Sequence, residues 1–307
     1  MIEAEGLTKI FDDFLAVNHI DLHVPAGQIL ALLGPNGAGK TTTVRMLSSV
    51  LKPTQGTAKI AGYDVSSQPA EVRSKVGVLT EHHGLYGRMN AIEYLNFFGE
   101  LYGLSKSQIS LKMEPLLEQL DIAQHRTKKL GEYSKGMRQK LALVRALIHE
   151  PPVLLLDEPT SAMDPESAMI VRSAIKSLRN EERTIILCTH NLAEAEELCD
   201  QIAIIQNGTI ILNKTMQEVK NSLLGGSLYI AKFGKPIIEK DFLIPEGIQI
   251  HHQNQYEIHF LIKQPKKQNP SLIRYLADNF ELLTFEEDSI KLEDAYLEAI
   301  THKKSSS

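Results

Sequence analysis

The stretch Gly34-Pro35-Asn36-Gly37-Ala38-Gly39-Lys40-Thr41-Thr42 fits the pattern G-x-x-x-x-G-K-[ST], and its flanks constrain the fold more than any other part of the chain. The apolar run Ile29 to Leu33 before it predicts a buried strand, and Thr41 to Val50 after it predicts a helix. In that strand–loop–helix setting the glycines let backbone amides close around phosphate oxygens, and the helix N-terminus adds partial positive charge. Lys40 supplies a point charge, while Thr41, with Thr42 beside it, offers a hydroxyl to Mg²⁺. An accidental glycine-rich turn would account for neither flanking element.

A second apolar run, Val153 to Leu156, ends in Asp157-Glu158. Such a run predicts a central parallel strand that delivers two carboxylates at its C-terminal edge, where open α/β sheets place ligands. Asp157 is placed to hold Mg²⁺, and Glu158 to polarise the water that attacks a γ-phosphate. A third run, Thr184 to Cys188, leads into Thr189-His190. A histidine there would ordinarily be a loop or core residue; beside the other two motifs, His190 becomes a γ-phosphate contact.

Tyr133-Ser134-Lys135-Gly136-Met137 looks like a variant of the L-S-G-G-Q signature, and Ser161-Ala162-Met163-Asp164 looks like a D-loop. With these the chain resembles an ATP-binding cassette (ABC) ATPase over roughly residues 1 to 220, with every motif in the family's order. The resemblance implies a P-loop α/β fold: a mostly parallel core sheet, an antiparallel β subdomain and a helical subdomain at about 88–150. It makes His190 the H-loop residue, places Phe11 where an aromatic side chain stacks on adenine, and gives Ser134, Lys135, Gly136 and Asp164 to a nucleotide held by an opposing subunit.

Ser134 is also a plausible N-cap, and a lysine in a helix's first turn opposes the macrodipole. Lys135, with Arg138 and Lys140 nearby, makes sense if an anion docks there. The family's pattern is broken twice. Tyr133 and Lys135 alter the signature, and Glu81 stands where the resemblance expects glutamine, adding a possible Mg²⁺ ligand that also repels phosphate.

Helical patterning begins at Asn90, which with Glu93 reads as a capping box, and Gly103 ends that helix. Pro115 is expected to kink or split the next one. This insert resembles the family's helical subdomain, whose groove receives a coupling helix from a membrane protein, with Tyr86, Met89 and Phe97 as candidate lining. After Gly225-Gly226 the pattern changes to short strands with two helices, expected at Pro270 to Asn279 and Leu292 to Ile300, a small α+β appendage; the expected division is 1–222 and 223–307. Its tail, Lys291 to Leu297, resembles the closing motif of ATPases from ABC-2-type exporters.

The 307 residues carry a net charge of −5, which gives no basic field for nucleic acid. No apolar stretch reaches bilayer length, and the N-terminus shows no signal-peptide core. The cysteines Cys188 and Cys199 fit buried thiols in a reducing compartment. The pairs His82-His83 and His251-His252 lack further ligands at metal spacing. The expectation is an ATP- and Mg²⁺-dependent ATPase, cytoplasmic and peripheral on the cytosolic membrane face. It would drive an exporter through a separate transmembrane permease, as a homodimer or heterodimer of cassettes. The alternatives are a non-transport ABC ATPase, which usually carries two cassettes or a coiled-coil insertion, and a nucleotide-dependent regulator, which would be expected to lose Glu158 or His190.

Overall fold

The computed structural model describes residues 1–80, 84–161, 163–179, 183–222, 227–237, 247–287 and 292. In chain order its elements begin with β1 (Ile2–Phe11), β2 (Phe14–Val24), β3 (Ile29–Leu33), α1 (Lys40–Leu47), β4 (Gln55–Ile60), β5 (Tyr63–Asp64), α2 (Pro69–Lys75) and β6 (Val76–Leu79). There follow α3 (Ala91–Leu101), α4 (Lys106–Gln119), α5 (Lys135–Leu147), β7 (Val153–Asp157), α6 (Pro165–Leu178), β8 (Thr184–Thr189), α7 (Leu192–Leu198), β9 (Gln201–Gln206) and β10 (Thr209–Thr215). Last come α8 (Met216–Ser222), β11 (Ser227–Phe233), β12 (Ile248–Gln253), β13 (Glu257–Ile262), α9 (Pro265–Asn279) and β14 (Leu282–Glu287). Two compact units result, Met1–Asn213 and Lys214–Ser307.

The first unit holds two sheets whose kinds follow from burial. Every residue of β3, β7 and β8 is buried, as expected of strands covered on both faces. They lie in a six-stranded sheet of order β10-β9-β3-β8-β7-β6, in which β6, β7, β8, β3 and β9 pair in parallel. Asn207 and Gly208, both at positive φ, turn β9 into β10 in the manner of a two-residue hairpin. The second sheet, β2-β1-β4-β5, is antiparallel. Its buried side chains, among them Ile2, Leu7, Ile20 and Ile60, join Leu30, Leu32, Val44 and Leu155 in one core.

Between β6 and β7 the chain is helical. Asn90 and Glu93 form the reciprocal capping box that starts α3, and Gly103, at φ +78°, follows its end. Ser105 and Gln108 cap α4 the same way. Contrary to the expected split, α4 runs unbroken through Pro115. A proline removes one ladder hydrogen bond, and here the box at one end and the burial of Ile109, Met113 and Leu117 hold the helix together. Tyr86 and Phe97 are exposed and stack edge to face, 6.0 Å apart.

In the second unit, four antiparallel strands in the order β12-β13-β11-β14 share a core with α9 through Phe233, Ile258, Phe260, Leu272 and Leu276. The helix begins at Pro265, five positions before Pro270 where the pattern first reads as helical; its start is set by Pro265 in the first turn rather than by the later proline. The expected final helix from Leu292 to Ile300 lies, except for Leu292, outside the described residues, as does Glu81.

Candidate functional site

The loop between β3 and α1 owes its course to its glycines. Gly37 and Gly39 have φ of +79° and +110°, a region that side chains with a Cβ rarely enter. Gly39 is the N-cap of α1 and brings no capping side chain, so the helix's first amides remain available to an anion. The loop is tied down from outside: Gly208 N–H donates to Ala38 O at 2.9 Å, and Asn18 N–H to Gly208 O at 2.8 Å. Lys40 is buried, and its Nζ donates to Gly34 O (2.6 Å) and Pro35 O (3.2 Å), which fixes the ammonium to the loop.

A cavity of about 460 Å³ opens over this loop, lined by residues 35–42 with Phe14, Ala16, Asp157 and Glu158. The loop and the acids of β7 therefore meet, 116 positions apart in sequence: Thr41 Oγ1 donates to Asp157 Oδ2 at 2.7 Å. Hydroxyl and carboxylate oxygens converging in this way suit a small hard cation that also takes phosphate and water oxygens. The aromatic wall is Phe14, which the sequence reading passed over. Phe11, its partner directly across the β1–β2 hairpin, is not on the lining; its half-exposed ring lies 5.1 Å from Lys9 Nζ.

Glu158, the residue after β7, sits at φ +53°. Its N–H donates to Cys188 O at 2.9 Å, continuing the pairing with β8. Its carboxylate Oε1 is 2.8 Å from Nδ1 of His190, a contact that requires the proton on Nδ1 when Glu158 is ionised. The two side chains thus stand together, Glu158 on the cavity lining with a side chain 13% exposed and His190 beside it with one 64% exposed. Cys188 lies beneath them, fully buried; burial, with Asp157 and Glu158 nearby, pushes its thiol far up, so it behaves as an apolar side chain.

Two buried polar groups around the turn after Glu158, Gln139 and Glu194, carried no signal in the sequence. Gln139 on α5 donates from Nε2 to Glu158 O at 3.0 Å. Glu194 on α7, 2% exposed, accepts from Thr160 Oγ1 and Thr189 Oγ1, each at 2.7 Å. Burial raises its carboxyl, and those two hydroxyls pull back. Lys140, expected beside Lys135 as an anion contact, is buried instead.

The signature segment lies at the N-terminus of α5, off the lining of that cavity. Ser134 caps the helix, its Oγ accepting from Met137 N–H at 3.2 Å. Lys135 is exposed. Arg138 does not join it: its Nη1 donates to Tyr133 O at 2.6 Å. Tyr133, where the family has leucine, is 2% exposed and donates its hydroxyl to His125 O at 2.8 Å, so it anchors the segment to the turn Ala123–His125. A Cβ on Gly136 would lie 3.8 Å from Ser167 Oγ, and Asp164 caps α6 by accepting from Ser167 N–H at 2.9 Å. Gly136 and Asp164 are therefore neighbours. The Ser167 amide and hydroxyl lower the Asp164 carboxyl, with the charge of Lys140 adding to them.

Among the described residues no helix is long and apolar enough to cross a membrane. Residues 17–161 match the family described as ABC transporter. The chain is 32% identical over 305 residues to the daunorubicin/doxorubicin resistance ATP-binding protein DrrA of Streptomyces peucetius, covering 98% of this chain and 92% of that one. It is 41% identical over 208 residues to the ABC transporter ATP-binding protein NatA of Bacillus subtilis, covering 67% and 85%. A solved ATP-binding subunit of an ABC transporter superposes with a TM-score of 0.68 at 28% identity, covering 72% of this chain and 92% of that one. With the phosphate loop, the strand-end acids and the histidine in one place, the chain belongs to the ABC transporter ATP-binding proteins, the ATPase subunits of these transporters.

Proposed function

We propose that this subunit hydrolyses ATP at two sites shared across a cassette dimer and drives export through a separate transmembrane permease, from the cytosolic face of the membrane. The observation that carries the chemistry is the Glu158–His190 contact of 2.8 Å beside the Thr41–Asp157 contact of 2.7 Å. Lys40 and the amides of Gly37 to Thr41 take the phosphates, with Thr42 beside them. Thr41 and Asp157 would hold Mg²⁺, which when bound neutralises phosphate charge; Glu81, outside the described residues, would be a further oxygen near it. Phe14, with Phe11 across the hairpin, would face the base.

Glu158 accepts the proton of the attacking water, and His190 holds that carboxylate in place through Nδ1, while Nε2 donates to the γ-phosphate when that nitrogen carries a proton as well. A base that has two oxygens and one fixed partner keeps the other oxygen for water. The exposed N-terminus of α5, with Ser134, Lys135 and Gly136 next to Asp164, has the helix polarity and charge to receive the γ-phosphate held by a second cassette. ATP then acts as an adhesive between cassettes and hydrolysis weakens it, because ADP lacks that contact.

Glu158→Gln keeps the side chain's size and removes the base. Turnover should fall by about 10²-fold or more, and light scattering with Mg-ATP should show a dimer that Mg-ADP does not sustain. Adding Ser134→Arg should abolish that dimer. A mass that stays monomeric with Mg-ATP well above the ATP affinity refutes the homodimer; dimerisation only with a second cassette makes it a heterodimer.

A further inference from the structure

Outside the nucleotide cavity a second polar cluster centres on two buried side chains, Glu194 and Thr189. Glu194 accepts from Thr160 on one side and from Thr189 on the other, both at 2.7 Å. Thr160 stands two residues after Glu158, in the turn closed by Ser161 N–H donating to Glu158 O at 3.2 Å. Thr189 is the last residue of β8, directly before His190. The cluster is braced locally: Asn191 N–H donates to Thr189 Oγ1 at 3.1 Å, and Asn191 Oδ1 accepts from Glu194 N–H at 3.2 Å. One carboxylate thus spans the two segments whose side chains must meet for the Glu158–His190 contact.

A buried carboxylate is costly unless fully hydrogen-bonded, and a packed apolar residue would stabilise the same spot at least as well. Stability therefore does not explain an acid here, whereas fixed spacing between two loops does. We propose that Glu194 is a positioning residue for hydrolysis, a clasp that sets the turn carrying Glu158 against the strand end carrying His190. The proposal rests on the reading of Glu158 as the base. Without the clasp the turn keeps its backbone bond from Glu158 N–H to Cys188 O, so the cavity survives while the carboxylate wanders relative to His190.

The test uses the full chain and reads kcat, KM and directly measured ATP affinity for Thr160→Val, Glu194→Ala, their combination and Glu194→Gln. Thr160→Val preserves shape and deletes one donor. It should lower kcat about tenfold, within the roughly 10²-fold that a misplacement of order 1 Å can cost, and leave ATP affinity within about twofold. Glu194→Ala should do at least as much, and the combination no more than Glu194→Ala alone. Glu194→Gln, which can still bond both threonines, should restore most of the lost kcat. If Glu194→Ala does not fold, Thr160→Val and Glu194→Gln decide. Wild-type kcat in Thr160→Val, independent losses that multiply in the combination, or a Gln variant as slow as Ala would each overturn the proposal. Glu158→Gln is assayed alongside: turnover retained there refutes the hydrolytic reading itself, while loss of turnover there with normal kcat in Thr160→Val refutes only the clasp.

Discussion

Two glycines of the same loop separate backbone strain from crowding. Gly37 and Gly39 both lie at positive φ, +79° and +110°, but a Cβ on Gly37 meets nothing within 4 Å, whereas one on Gly39 falls 2.8 Å from Ala16 O and 3.2 Å from Ile205 Cδ1. Alanine at either site carries a strain of about 1–2 kcal/mol for the left-handed backbone, offset by about 0.4–1 kcal/mol from a less flexible unfolded chain. These terms cancel only in part, because +110° lies farther from the left-handed well than +79°, a difference that also disfavours alanine at Gly39. Added to it is the contact with a backbone oxygen that cannot rotate away, and forced shifts of this kind cost about 1–3 kcal/mol.

Gly39→Ala should therefore be less stable than Gly37→Ala by about 1–3 kcal/mol. Urea unfolding measures it, using the transition that Mg-ATP shifts upward to identify the unit that holds the loop. The open space at Gly37 is cavity, so its methyl should weaken ATP binding instead. Equal midpoints for the two variants, or a Gly39→Ala protein as stable as the wild type, would refute the reasoning.

Three further outcomes are expected. Phe14→Ala should lose about 1–3 kcal/mol of ATP affinity, the usual worth of stacking on a base, and more than Phe11→Ala by fluorescence titration; the opposite order would return the stacking role to Phe11. A fragment ending at residue 222 should fold and bind ATP, because every phosphate-site residue precedes it; insolubility or lost binding would show one shared core. Burial, with the charges of Lys112 and Arg183 added, lowers the His149 pKa from 6.5 to about 4, where its ring stacks 3.7 Å from Tyr102. The unfolded chain then binds the extra proton between these values, so stability should be intact above pH 6.5 and fall by roughly 3 kcal/mol as pH drops towards 4; pH-dependent melting that is unchanged in His149→Phe would refute it.

The elements that the sequence made legible are those whose signal is local. Ile29 to Leu33, Val153 to Leu156 and Thr184 to Cys188 are unbroken apolar runs, and unbroken runs are strands covered on both faces. The Asn90–Glu93 box sets its helix start with two side chains three residues apart, and the phosphate loop is a single nonapeptide. Pro115 does not split its helix, because the tertiary burial of Ile109, Met113 and Leu117 outweighs a local breaker. Phe14 was missed for a related reason: two aromatics flank one hairpin, and which ring faces the cavity depends on the sheet behind them.

The same distinction explains why Glu158 and His190 could be singled out from sequence and the residues that brace them could not. Asp157, Glu158 and His190 each end a readable strand, so their identity follows from position. Gln139, Glu194 and Lys140 sit on helices whose periodicity gives no reason to bury a polar side chain, and Gln139 and Glu194 bond to segments 19 and 34 residues away. Arg138 and Lys140 show the consequence. Both looked like partners of Lys135 around an anion, yet Arg138 closes its own turn on Tyr133 O and Lys140 is buried, leaving Lys135 as the basic side chain exposed beside Ser134 at that helix start.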